Sequence, residues 1–131
     1  MCGIVGLYLK DPTLQASLGE LFAPMLIEMT DRGPDSAGFA IYRDPVSEHQ
    51  TKFTLASDDP DTDWKALDTD LARALICQAR LDIQGDHAVL VTDADAFAAQ
   101  AWLAESRPRI RVVGSGRSIE IFKQTGLPKD V

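Results

Sequence analysis

Cys2 stands directly behind the initiator methionine in Met-Cys-Gly-Ile-Val-Gly-Leu. Methionine is usually removed when the next side chain is small. Removal would leave Cys2 with a free α-amine, whose ordinary pKa is roughly 7.7–8.0. A thiol of ordinary pKa about 8.5 beside that amine is a nucleophile that carries its own base. The amine can take the thiol proton, directly or through a water, and return it to a leaving nitrogen. Such a pair suits acyl transfer from an amide, and Gly3 leaves room for substrate against the backbone.

One predicted helix later comes Arg32-Gly33-Pro34-Asp35-Ser36-Ala37-Gly38. It places a guanidinium and exposed backbone in one loop. Arg32 can hold a carboxylate through two parallel hydrogen bonds. It can equally form a structural ion pair with Asp31 or Asp35, and the residues alone leave both open.

The elements around these residues follow from hydrophobic spacing. Residues 2–9, Cys-Gly-Ile-Val-Gly-Leu-Tyr-Leu, read as a strand. Leu14, Leu18, Leu21, Phe22, Met25 and Met29 recur at helical spacing, with Asp11 or Thr13 as cap and Pro24 predicting a bend or a second helix start. The helix stops at Thr30-Asp31-Arg32-Gly33-Pro34. Strands are expected at Phe39–Tyr42 and over 51–56, the latter adding to the same sheet as 2–9.

The composition shifts near Ser57. An acidic, turn-forming stretch over 58–63 reads as a solvated loop, with no EF-hand spacing. Beyond it a helix with Trp64, Leu67, Leu71 and Leu75 on one face is expected. A strand in Ala-Leu-Ile-Cys-Gln-Ala-Arg-Leu-Asp-Ile and another at His87–Thr92 should follow. A helix over 93–106, with Phe97, Ala101 and Leu103 or Ala104 inward, leads to a strand at 109–114 and a helix or strand at 118–123. Gly114-Ser115-Gly116 lacks the third glycine of a dinucleotide fingerprint and the lysine of a P-loop, so a plain tight turn is expected. The second half thus alternates helix and strand, as a small α/β layer does.

Composition excludes several functions. The chain has 131 residues, 45% apolar and 25% charged, which suits one globular domain or part of a larger one. A net charge of −7 argues against a nucleic-acid partner. No apolar run approaches a membrane span, and no signal peptide is apparent. Two cysteines, Cys2 and Cys77, make no disulfide framework, and His49 and His87 show no zinc spacing. Cys77 reads as a small core hydrophobe. A reducing, cytoplasmic setting fits.

Cys2-Gly3-Ile4 followed one helix later by Arg32-Gly33-Pro34-Asp35-Ser36-Ala37-Gly38 resembles the class II glutamine amidotransferases, which have an N-terminal-nucleophile hydrolase fold. The run as a whole looks most like the GlxB-type proteins, which include the amidotransferase-like subunit of N-methylglutamate synthase. The resemblance implies an α+β fold: residues 1–56 as the N-terminal part of an αββα sandwich, and residues 57–131 as an inserted α/β segment. It implies glutamine hydrolysis with Cys2 as catalytic nucleophile, Arg32 and Gly33 shaping the substrate site, no cofactor and no metal. Ammonia would pass to a synthase subunit. The family also uses an Asn-Gly oxyanion pair and a His-Thr-Arg motif. This chain contains no asparagine and no His-Thr-Arg. The expectation is therefore an N-terminal part or one piece of a split protein, inefficient as a glutaminase alone. A non-catalytic binding or regulatory subunit is the competing reading, and another N-terminal-nucleophile amidase a third.

Overall fold

A computed structural model describes residues 3–32 and 35–130. The fold is α+β, in two compact units: one takes in the chain to Gly38 and again from Lys123, the other runs from Phe39 to Phe122.

In the first unit a 3-10 turn, Pro12–Ser17, leads into helix α1, Leu18–Ile27. Asp11 is the cap: its carboxylate accepts the Thr13 N–H at 2.9 Å and the Thr13 hydroxyl at 2.8 Å. Pro12 follows at a position where its missing N–H costs nothing. Pro24 lies inside α1, and the helix runs through it. The carbonyl left without its donor belongs to Glu20, an exposed residue where water can substitute. The chain then tightens: Glu28 N–H donates to Pro24 O, Met29 N–H to Leu26 O and Arg32 N–H to Met29 O. Thr30–Arg32 form a 3-10 turn. None of residues 3–32 is buried.

The strand expected over 2–9 is absent from its described part. Residues 3–10 are irregular, and Ile4 is 97% and Tyr8 84% exposed. A strand needs a neighbour to take its N–H and C=O groups, and no described strand pairs there. Strand β1, Ser36–Tyr42, begins earlier than its apolar residues indicate.

The second unit is built on strands β2 (Thr51–Ala56), β3 (Ala79–Gln84), β4 (His87–Thr92) and β5 (Arg111–Gly116). They form one sheet in the order β3-β4-β2-β5, with every neighbouring pair antiparallel. Helix α2, Leu67–Leu75, joins β2 to β3, and helix α3, Ala96–Ser106, joins β4 to β5. The β-α-β-β-α-β order with its first and third strands innermost is the ferredoxin-like split βαβ arrangement. Each helix connects two parallel strands that have an antiparallel one between them. That reconciles the helix–strand alternation of the sequence with an antiparallel sheet. Thr51–Ala56, expected beside the N-terminal strands, is instead an inner strand here. Five of its six residues are buried, including Lys52 and Thr54 on the face opposite Phe53 and Leu55.

The core lies between sheet and helices. Phe53, Leu55, Ala88 and Leu90 meet Leu67 and Leu71 of α2 and Ala99 and Leu103 of α3, with Trp64 and Ile110 at the margins. Trp64 precedes α2 rather than lying on it, because Ala66 has φ 60° and interrupts the helix. In α3 the inward residues are Ala99 and Leu103, while Phe97 is 83% exposed. Asp95 fixes that phase by accepting the Phe97 and Ala98 N–H groups, and small Ala99 lets the helix approach the sheet. On the other face Ile121 N–H donates to Thr54 Oγ1 at 3.0 Å, and Lys52 Nζ to Glu120 Oε1 at 2.7 Å. These belong to strand β6, Ile119–Thr125, which pairs with β1. Gly114 and Gly116 lie on β5 rather than in a turn. A Cβ at Gly114 would fall 2.7 Å from Ile121 Cδ1, so the glycine makes room for β6.

The acidic loop is tied down by its own backbone. Asp59 accepts the Asp61 N–H at 3.0 Å and Arg109 at 2.6 Å, and Asp58 pairs with Arg111 at 2.7 Å. The Asp61 N–H first, then Arg109, hold the Asp59 carboxyl below its ordinary 3.8. Its contribution to stability is therefore present above pH 3.8 and lost as pH falls through the lowered folded value. A carboxyl-carbon NMR titration should show this. Arg109→Ala should move the midpoint only part of the way back, because the backbone N–H is the larger cause.

Candidate active site

Of the residues singled out in the sequence, Cys2 and Gly33 lie outside the described residues. Arg32 ends the 3-10 turn Thr30–Arg32 and is exposed. Among the described residues its guanidinium makes no ion pair, so neither Asp31 nor Asp35 neutralises it. Asp35 instead uses its backbone carbonyl, which accepts the Gly126 N–H at 3.1 Å.

Gly3 and Arg32 meet. A Cβ built on Gly3 would fall 2.8 Å from Arg32 Cβ, 3.2 Å from Arg32 Cγ and 3.1 Å from Met29 Sδ. Real side chains do not tolerate the first of these distances, so the close approach requires glycine. The backbone next to Cys2 therefore lies against the stem of the loop arginine. Gly3 and Arg32, separated by a helix, are brought together by the turn that follows α1.

Sequence reasoning placed Met29 only on the apolar face of the helix. Its contact with Gly3 escaped notice, although the three-residue spacing from Met29 to Arg32 is the signal of a shared 3-10 turn.

The other candidates are structural. Cys77 is half-buried at the edge of the core, with Sγ 3.4 Å from Thr92 Oγ1 and 3.9 Å from Leu71 O. His49 is exposed, and His87 is buried on β4 with Nδ1 2.7 Å from Asp86 Oδ1. Among the described residues no group of three or more His, Cys, Asp or Glu side chains is placed to hold a metal. No described helix is long and apolar enough to cross a membrane. An open cleft in the second unit is lined by Asp59, Asp63, Lys65, Arg107, Arg109 and Ile110. Arg109 there is paired with Asp59, and Arg107 with Asp70 at 2.6 Å.

The whole chain aligns at 50% identity with the glutamine amidotransferase-like protein GlxB of Rhizobium meliloti (strain 1021), of which it spans 43%. A second relative, from Methanothermobacter thermautotrophicus and named provisionally as a glutamine amidotransferase, is 55% identical over 42 residues, 32% of this chain and 13% of that protein. The chain thus spans less than half of either relative. No family model and no solved structure matches it. The similarity along the whole of this chain is to a glutamine amidotransferase-like protein, and it agrees with the resemblance of the two motifs.

Proposed function

We propose that this chain carries the nucleophile of a glutamine amidotransferase with N-terminal-nucleophile chemistry. The observation that supports the reading is the packing of Gly3 against Arg32, which joins the backbone beside Cys2 to an exposed arginine with no ion pair among the described residues. The 50% identity to a glutamine amidotransferase-like protein supports the same substrate.

In this mechanism Met1 is removed and the Cys2 thiol attacks the side-chain amide carbon of glutamine. The Cys2 α-amine takes the thiol proton and delivers it to the amide nitrogen, which leaves as ammonia. A γ-glutamyl thioester remains, and water cleaves it to glutamate and the free thiol. Arg32 and Gly33 shape the substrate site, with the guanidinium holding an anionic oxygen of the substrate. Donors for the tetrahedral oxyanion are worth 10²–10³ in rate each where removal has been measured. With no asparagine in the chain, an Asn-Gly pair must come from another polypeptide segment. The ammonia passes to a synthase subunit, in the cytoplasm. The residues before Thr51 would contribute to an αββα sandwich, with the four-stranded sheet that begins at Thr51 inserted into it. The missing asparagine also favours a second reading, a binding or regulatory subunit in which Cys2 does no chemistry.

A chloroketone analogue of glutamine separates the two. Peptide mass mapping is expected to find one adduct, on an N-terminal peptide beginning at Cys2, with labelling that saturates. Labelling that never saturates, or that reaches Cys77 equally, favours the binding subunit. Arg32→Ala is expected to raise the half-saturating concentration about 10- to 150-fold, the value of a hydrogen bond to a charged group, about 1.5–3 kcal/mol.

A further inference from the structure

We propose that Met29 is a positioning residue for the nucleophile: its thioether and the Arg32 stem clamp the backbone at Gly3, one peptide bond from Cys2. The inference rests on the glutamine reading of Cys2 and adds a residue to it.

Three observations carry it. A side chain begun at Gly3 would start 3.1 Å from Met29 Sδ and 2.8 Å from Arg32 Cβ. Ordinary carbon contacts are about 3.5–4.0 Å, so Met29 and Arg32 together occupy the space a Cβ would need. Gly3 has no positive φ, so it is this space and not backbone conformation that requires glycine. Second, the clamp is built by one turn. Arg32 N–H donates to Met29 O at 2.9 Å, and residues three apart on a 3-10 turn stand over one another. Third, Met29 is half-buried, as are Met25, Leu26 and Thr30, in a stretch with no buried residue. Its contact with Gly3 is therefore not the by-product of a core.

The consequence concerns geometry. Consecutive Cα atoms are 3.80 Å apart, so a turn that grips Gly3 acts one residue from the nucleophile. A misplacement of about 1 Å can lower a rate about 100-fold. An unbranched, polarisable methionine fits against the bare backbone. Removing it should slow the chemistry without weakening substrate capture, which falls to Arg32.

The test uses the full chain and the glutamine chloroketone, with iodoacetamide as a reagent of no glutamine shape. Met29→Ala is expected to lower the maximal labelling rate of Cys2 at least fivefold, with the half-saturating concentration within twofold of wild type. The iodoacetamide rate should change less than twofold. Met29→Leu should restore at least half of the maximal rate. Gly3→Ala, which disturbs the clamp from the other side, provides a second route to the same loss should Met29→Ala unfold, and thermal melts report folding. A wild-type maximal rate in folded Met29→Ala or Gly3→Ala overturns the proposal and leaves the glutamine reading intact. A wild-type chain whose Cys2 reacts with iodoacetamide but never saturates with the chloroketone overturns the glutamine reading, and the role of Met29 with it.

Discussion

Cys2→Ala is expected to abolish the glutamine-directed labelling that the proposed function requires, and any glutaminase activity with it. Cys77, the other cysteine, is half-buried between α2 and β3, beside Thr92. In a serine protease, loss of the nucleophile leaves only what binding and oxyanion donors supply and costs on the order of 10⁶ in kcat. Cys2→Ser is the sharper variant. It keeps the α-amine and the size of the side chain but offers a hydroxyl that the amine cannot ionise near neutrality, so it too should stay unlabelled. Folding should be unaffected by either change, since the buried core lies wholly within residues 53–110. Residual saturable labelling in Cys2→Ala would place the reactive group elsewhere.

Glu120→Ala is expected to produce the largest loss of stability. Glu120 is 6% exposed, and its carboxylate accepts Lys52 Nζ at 2.7 Å and Arg43 Nε at 3.1 Å. The Lys52 side chain is itself 6% exposed, so removing the carboxylate strands an ammonium in the interior. Breaking one side of a buried pair costs about 3–5 kcal/mol. The Arg43 arm adds little, being 62% exposed and screened by water. Urea unfolding should show a midpoint lowered accordingly. A double variant, Lys52→Met with Glu120→Leu, should recover most of the loss, because an apolar pair of similar volume needs no compensating charge. A loss below about 1 kcal/mol in Glu120→Ala would mean that Lys52 reaches water once freed.

What could be read from the chain divides along the range of the interactions involved. Local signals survived folding. Asp11 caps the first turn, Leu67 and Leu71 face the core, and α3 and β4 form where composition and spacing put them. Failures came where distant partners decide. The expected strand over 2–9 has apolar residues enough, but pairing, not composition, makes a strand. Thr51–Ala56 reads as an addition to the sheet of 2–9, but its register with His87–Thr92 and Arg111–Gly116 makes it an inner strand of another sheet. In α3, Leu103 faces the core as expected, but the bulky Phe97 and Ala101 are exposed, and small Ala99 is the one that approaches the sheet. The candidate site shows the same division. The thiol and amine of Cys2 and the charge of Arg32 are properties of residue types and were legible. That Gly3 would lie against Arg32 and Met29 was not, because the contact closes a long loop through a turn with no distinctive composition.

The central claim is that the amine of Cys2 acts as base for its own thiol. The most direct measurement is the intact mass and N-terminal sequence of the protein purified from its native cells. The account predicts a chain that begins at Cys2 with an unmodified α-amine. A chain that keeps Met1, or carries an acetyl group on Cys2, would have no such base, and the nucleophile reading would be wrong.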